Sequence, residues 1–389
     1  MQVRHDMEGQ KQSQAQPSDA SLLPAWPPDW PEVRAAVEVA LREGTWGRYR
    51  GPAALELRRV LASITRESVG DVQQGVDMAR EPDAEHCRLV SSGSLGVELA
   101  LRGLGIQAGD RVAVCGYDYP GNVRAIEAAG ARPVLIDADP NGNSLCPRKL
   151  AKMADSRPQD VQAVIVSHLY GVPAHVAEIS EICRQYEWSL VEDACQTPGG
   201  IIEGRPAGGW GDAGVLSFGG SKPLTAGCGG ALISKSPQIH SRLNRWCDRP
   251  SDSTALSEMQ ATLLLPQLAR LPECDSIRHE TIQAILSQVP WTSSRLCGPP
   301  PSITCYKLAW LIDERERLVN ELIDRGIPAG VGYRSMHRSR RFDRFESLRR
   351  SIELGERVVV LDHRALLAEG DARTWLLKQL IEVGKKLQL

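Results

Sequence analysis

From residue 92 onward, short apolar runs alternate with stretches of helical spacing. Arg111 to Cys115, Pro133 to Asp137, Ala163 to Ser167 and Ser189 to Val191 are nearly continuous in apolar side chains. That pattern belongs to strands buried on both faces. Between them, Leu95 to Leu101, the set Val123, Ala125, Ile126 and Ala129, and Val176 to Tyr186 carry one-sided helical periodicity. Strands alternating with helices predict an α/β fold, a mostly parallel mixed sheet flanked by helices. Upstream, Val33, Ala36, Val37, Val39, Ala40 and Leu41 predict a helix that ends at the turn Gly44 to Gly51. Ala255 to Val289 reads as one long helical stretch, with a break or kink expected at Pro266 and Pro272. Gly298-Pro299-Pro300-Pro301 then interrupts all periodicity. Beyond it come a strand Ile303 to Ile312, a helix Glu314 to Arg325, a strand near Val331, a strand Val358 to Leu361 and a last helix Ala372 to Leu387. The expected organisation is a disordered leader over 1–22, a large domain over 23–297 and a smaller C-terminal α/β domain over 298–389.

Composition narrows the function. The chain has 389 residues, 42% of them hydrophobic, a formal net charge of -2 and a pI near 6.5. There is no global basic field for nucleic acid or for a membrane surface. No apolar run approaches the length of a membrane span, and the polar first twenty residues lack the apolar centre of a signal peptide. The ten cysteines show neither a Cys-x-x-Cys pair nor zinc-ligand spacing with histidine. They read as free thiols of a cytoplasmic protein, with no metal site.

Sites in parallel sheets gather at the carboxyl ends of the strands, where Tyr119, His168, Asp193 and Ser217 fall. Val191-Glu192-Asp193-Ala194-Cys195-Gln196 puts an acid at the end of a buried strand. Ser217-Phe218-Gly219-Gly220-Ser221-Lys222 puts a lysine in a tight turn of small residues, where burial should depress its pKa. An acid to keep a ring nitrogen protonated and a lysine to form a Schiff base are what pyridoxal phosphate (PLP) chemistry requires. Gly93 and Ser94 open a helix just after a short strand, which makes either an anion site or an ordinary helix cap. Ser217 supplies a second hydroxyl for the same phosphate. Tyr119 is either a ring-stacking aromatic or a core tyrosine at a turn. His168 is either an acid–base group or a hydrogen-bonded structural histidine. Arg334, His337, Arg338, Arg340, Arg341 and Arg344 form either a diphosphate-binding run or a solvated face. His168, Tyr333 and His337 are the candidates for substrate contact.

In this order, these residues resemble the DegT/DnrJ/StrS family of PLP-dependent aminotransferases, of the aspartate aminotransferase-like fold. The resemblance runs from about residue 30 to the end, and Gly211-Asp212, His168 to Gly171 and Gly229-Gly230-Ala231 also look like family text. It implies that Gly93 and Ser94 bind the cofactor phosphate and that Tyr119 stacks on the pyridine ring. It also implies that Asp193 meets the ring nitrogen, that Gln196 lies near the ring hydroxyl, and that Ser217 and Lys222 complete the cofactor site. The implied reaction moves an amino group from glutamate or glutamine to a ketone on a nucleotide-linked sugar or a cyclitol, in a homodimer with shared active sites. Alternatives on the same scaffold are a PLP lyase or dehydratase, or a non-catalytic regulatory relative. Relatives acting as dehydratases replace the lysine by histidine, whereas Lys222 is intact. One departure concerns an Asn-x-Arg loop that precedes the Ser-Glu-x-Gln-Ala helix in many members, its asparagine reaching the partner's phosphate. Here Asp248 to Ala255 is shortened, and Ser253 stands where that asparagine aligns.

Overall fold

The architecture is that of a computed structural model, which describes residues 22–65, 86–248, 252–300, 304–338 and 341–389. The leader expected over 1–22 lies outside the described residues except for Leu22, as do Arg340 and part of the 248–255 loop. The first half runs α1 (Pro31–Glu43), α2 (Pro52–Ile64), β1 (Cys87–Val90), α3 (Gly93–Leu104), β2 (Arg111–Cys115), α4 (Pro120–Ala128), β3 (Arg132–Ile136), α5 (Pro147–Ser156), β4 (Ala163–Ser167), α6 (Val176–Gln185) and β5 (Ser189–Asp193). Next come a small hairpin, β6 (Ile201–Ile202) and β7 (Arg205–Pro206), then β8 (Ala213–Ser217), β9 (Gly230–Ile233), α7 (Pro237–Cys247) and α8 (Glu258–Gln288). The remainder is β10 (Lys307–Leu311), α9 (Arg315–Asp324), β11 (Ala329–Val331), β12 (Asp343–Arg344), α10 (Arg349–Arg357), β13 (Val358–Asp362), α11 (His363–Leu366) and α12 (Gly370–Leu387).

An eight-stranded sheet in the order β1-β9-β8-β5-β4-β2-β3-β12 forms the centre. Every strand in it runs the same way except β9, which is antiparallel to both neighbours. The period of two along each strand divides the core between the two faces. Val112, Val114, Ala163 and Ile165 pack with Val97 and Leu101 of α3, Ile126 of α4 and Leu243 of α7. Ala113, Cys115, Val164 and Val166 pack with Leu61 of α2, Leu150 of α5, Ile179 of α6 and Leu264 of α8. With both faces covered, continuous apolar runs are the expected signature of these strands.

A second sheet, β10-β13-β11, is antiparallel throughout. Its core of Leu308, Trp310, Val359, Leu361 and Leu322 is closed by Leu376 and Leu380 of α12 and by Ile282 and Ile285 of α8. Trp310 is fully buried beside Trp291, whose indole N–H donates to Leu380 O at 3.0 Å. The break expected at Pro266 and Pro272 is absent: α8 continues through both prolines. Each interior proline costs about 3 kcal/mol of helix stability. The offset is tertiary, because one end of α8 buries Ala261 and Leu264 in one core and the other end buries Ile282 and Ile285 in another. Among the described residues, no helix is long and apolar enough to cross a membrane.

Candidate active site

The carboxyl ends of β1, β2, β4, β5 and β8 lie along one edge of the main sheet, and their loops converge there. Ser92 caps α3, its Oγ accepting from Leu95 N–H at 3.1 Å. That leaves the first-turn amides of Gly93 and Ser94 at the positive end of the helix dipole. Gly93 is required by crowding: a Cβ there would fall 2.9 Å from Ser217 Cβ and 3.1 Å from Cys195 Sγ. Likewise a Cβ on Gly121 would strike the Tyr119 ring and lie 2.7 Å from Ser94 Oγ. The structure therefore brings Gly93, Ser94, Tyr119 and Ser217 together, as the sequence implied.

Asp193 ends β5 directly opposite Ser167 of β4. It is buried, accepting from Cys195 N–H at 3.0 Å through Oδ1 and from Asn122 Nδ2 at 2.8 Å through Oδ2. Gln196 is buried beyond it, with Oε1 accepting from Tyr170 N–H at 2.8 Å and Nε2 donating to Tyr333 OH at 3.3 Å. Tyr117, Tyr170 and Tyr333 form an aromatic wall. The Tyr117 and Tyr170 hydroxyls lie 2.6 Å apart, and the Tyr170 and Tyr333 rings stack at 5.9 Å. Tyr119 meets Tyr333 edge-on at 5.8 Å while remaining partly open to solvent. Tyr170 adopts φ +64°, a left-handed conformation that costs a non-glycine residue roughly 1–2 kcal/mol. Burial pushes the phenols of Tyr117, Tyr170 and Tyr333 well above their ordinary value, so the wall is uncharged.

Lys222 sits on the turn after β8, its Nζ 5.1 Å from the centre of the Tyr306 ring. Tyr306 OH donates to Ser221 O at 3.0 Å, so the ring is tied to the turn that carries the lysine. Lys307 Nζ lies 5.0 Å from the same ring. The expectation of a depressed Lys222 pKa does not hold. Burial, the largest influence, does push the ammonium down, but Tyr306, Cys195 and Asp193 together outweigh it and the net direction is up. The Tyr306 phenol moves the other way: burial raises it, yet Lys222 and Lys307 outweigh burial and hold it below its ordinary value.

His168 is fully enclosed, with Nδ1 accepting from Ala174 N–H at 3.0 Å and Nε2 donating to Glu192 Oε1 at 3.0 Å. Both ring nitrogens are engaged within the protein, so the structural alternative holds and the assignment of His168 to substrate is corrected. Glu192 also accepts from the amides of Gly208 at 2.7 Å, Trp210 at 2.7 Å and Gly211 at 3.3 Å. His337 lies in a turn beyond Tyr333, its amide reaching Ser335 Oγ and its carbonyl accepting from Arg344. The contacts that gather the other residues do not extend to it. Of the arginine run, Arg341 pairs with Glu127 of α4. In the shortened loop, Thr254 O accepts from Ser91 N–H at 2.7 Å while its hydroxyl bonds Asp252. Arg88 braces the same loop through Asp252 at 2.6 Å and Asp248 at 2.9 Å. Ser253 is exposed.

Several residues of this site carry no signal in the sequence. Asp118 and Asn122 flank Tyr119 and Gly121, and Ser167 closes β4, yet nothing in their spacing points to Asp193. Tyr306 immediately precedes β10, where an aromatic reads as ordinary strand text.

Residues 77–375 match the model of the DegT/DnrJ/EryC1/StrS aminotransferase family, and the chain belongs to that family. It is accordingly an enzyme of the aminotransferase class. It is 28% identical over 372 residues to the L-glutamine:2-deoxy-scyllo-inosose aminotransferase of Streptoalloteichus tenebrarius, covering 86% of this chain and 82% of that one. Among solved structures, it is similar to the aminotransferase TlmJ of Streptoalloteichus hindustanus, with a TM-score of 0.79 and 25% identity, covering 95% of this chain and 99% of that one. It is also similar to S. venezuelae DesV, solved in complex with a ketimine intermediate, with a TM-score of 0.75 and 26% identity, covering 90% and 94%.

The family implies PLP, and the residues present fit it. The helix start at Gly93 and Ser94 suits a phosphate, a position where a side chain has no room. A buried carboxylate suits a pyridinium nitrogen. Asp193 is among the charges that raise the Lys222 pKa, as suits two groups serving one ring-shaped ligand.

Proposed function

We propose that this protein is a PLP-dependent aminotransferase that passes an amino group from an amino acid, glutamate or glutamine, to a keto-sugar or cyclitol ketone, the sugar being nucleotide-linked. The observation that carries the reading is the packing of Gly93 at the α3 start against Cys195, whose N–H donates to Asp193, and against Ser217, which leads into the turn carrying Lys222. PLP, when bound, supplies an electron sink for carbanion chemistry at the donor's Cα. Gly93, Ser94 and Ser217 would hold its phosphate and Tyr119 would stack on its ring. Asp193 would keep the ring nitrogen protonated, and Gln196 would lie near the ring hydroxyl. Lys222 Nζ would anchor the group and then carry the proton taken from the donor's Cα. Tyr333, held by Gln196, would face the acceptor. The ten cysteines, unpaired and nearly all buried, support a reducing cytoplasmic setting.

Incubation with PLP should give a near-visible absorption band that borohydride abolishes, leaving the pyridoxyl group on the peptide containing Lys222. Protein that stays colourless overturns the reading. Glutamate should then convert the bound group to its amine form with release of 2-oxoglutarate, and absence of any spectral change with amino donors would favour a lyase. We further infer a homodimer in which the exposed Ser253 reaches the partner's cofactor phosphate. Ser253→Ala should weaken PLP binding by about 0.5–1.5 kcal/mol, one hydrogen bond. A monomer that still transaminates would refute the shared site.

A further inference from the structure

Two buried acids meet where the cofactor chemistry needs one. Asp118, just after β2, is as deeply enclosed as Asp193. Its Oδ1 accepts from Tyr119 N–H at 2.7 Å and from Asn122 Nδ2 at 3.3 Å. Its Oδ2 lies 3.0 Å from Ser167 Oγ, and the same Oγ lies 3.4 Å from Asp193 Oδ2. Asn122 Nδ2 reaches Asp193 Oδ2 at 2.8 Å and Ser167 Oγ at 3.0 Å, closing the cluster. Ser167 thus stands between two carboxyl groups with a single proton to give.

The charges around Asp118 decide how the cluster is ionised. The groups facing it are Asp193 at the end of β5, Cys115 at the end of β2, Cys195 beyond β5 and Tyr333 beyond β11. None is a cation. Lys222, on the turn after β8, has Asp193 among the groups that raise its pKa. Two carboxylates buried side by side without a cation between them do not both ionise. Burial first, and the Asp193 charge second, push the Asp118 carboxyl up to about 8. A neutral Asp118 resolves the geometry at Ser167: its O–H donates to Ser167 Oγ, and the serine O–H donates to Asp193 Oδ2.

We propose that Asp118 is a positioning residue that holds the one proton of the acid pair and, through Ser167, fixes Asp193 as a single aimed negative charge. Asp193 Oδ1 is pinned by Cys195 N–H and Oδ2 by Asn122 and Ser167, so the carboxylate cannot rotate away from an incoming pyridinium. The inference deepens the PLP reading in its purpose, but the acid pair exists in the apoprotein and is tested there.

The test is chemical denaturation of wild-type and Asp118→Asn apoprotein between pH 5 and pH 8. A group with a raised pKa contributes stability that is full at low pH and lost as pH rises toward the folded value. Relative to Asp118→Asn, the wild-type unfolding constant should therefore rise by up to about tenfold per pH unit across this window. A difference that stays flat overturns the proposal. PLP serves as the second probe: Asp118→Asn, which keeps donors for Ser167, should bind it within about threefold of wild type. Asp118→Ala should lose about tenfold, as expected for one charge-assisted contact left unsupported. Equal losses in both variants would overturn the positioning role. If Asp118→Asn does not fold, infrared spectra of wild-type apoprotein decide the matter. A protonated-carboxyl band should persist at pH 7, where Asp275, raised only to about 6, has mostly ionised, and should fade toward pH 9. No such band at pH 7 overturns the proposal. Colourless protein in the PLP assay would refute the cofactor while leaving the apoprotein result standing.

Discussion

Replacing Tyr306 by phenylalanine isolates one oxygen atom next to the candidate lysine. The ring would stay over Lys222 Nζ at 5.1 Å and against the His363 ring at 5.7 Å, so packing is unchanged. What disappears is the hydrogen bond to Ser221 O and the phenol's electrostatic hold on the ammonium. The bond is worth about 0.5–1.5 kcal/mol, a roughly two- to thirteenfold loss in the population of the ordered turn. Tyr306→Leu would also remove the cation–π contact, about a further 0.5–2 kcal/mol. The phenol is the largest of the influences that raise the Lys222 pKa, and burial opposes it. In its absence the largest raising influence is lost, so the pKa should fall below its wild-type position. Reductive methylation of apoprotein across a pH series, followed by mass spectrometry of the Lys222 peptide, measures this directly. The onset of labelling should move to lower pH in Tyr306→Phe. An unchanged onset, or one moved to higher pH, would refute the phenol as the source of the raised Lys222 pKa.

Three more outcomes follow from the same geometry. Asp193→Asn should keep PLP bound but slow single-turnover conversion with glutamate by about 2.7–4 kcal/mol of barrier, and near wild-type rates would remove Asp193 from its role. Glu192→Gln replaces one acceptor oxygen by an NH2 donor facing the backbone amides of Gly208, Trp210 and Gly211, stranding at least one buried N–H at about 1–3 kcal/mol, which a thermal melt should register as clear destabilisation. His363 is held neutral by burial, its pKa lowered to about 3 from 6.5. The unfolded chain therefore binds the extra proton first, and relative to His363→Gln the wild-type stability should fall by about 1.4 kcal/mol per pH unit below pH 6.5, whereas a difference that stays flat would remove His363 as the cause.

The strands and their chemistry are legible where local text decides the outcome. Ala163 to Ser167 and Arg111 to Cys115 keep the bounds their apolar runs predict, because such a run between polar ends leaves little choice of register. Asp193 and Lys222 stand out because an acid and a lysine are uncommon in such surroundings. Strand order is not legible, since nothing in the text of Gly230–Ile233 says that β9 enters antiparallel between β1 and β8. Nor does the text beyond residue 298 announce β12, a two-residue strand that extends the main sheet along β3. The prolines of the long helix mislead because their cost is local, whereas the two cores that offset it are assembled from distant residues. Asp118 is hidden for the same reason. Its meaning depends on the pairing of Ser167 with Asp193, a contact between strands that adjacent residues do not encode.

The aromatic wall sets a schedule for biosynthesis. Tyr117 and Tyr170 are translated before Lys222, whereas Tyr306 and Tyr333 follow it by 84 and 111 residues. A ribosome-held chain ending before Tyr306 would own both acids and the lysine but not the ring beside the lysine or the tyrosine that stacks on Tyr170. The pocket is therefore completed only after Tyr333, 111 residues beyond Lys222, has emerged from the exit tunnel. Nascent chains arrested short of that point should expose the reactive amine to solvent without the surroundings that govern its charge.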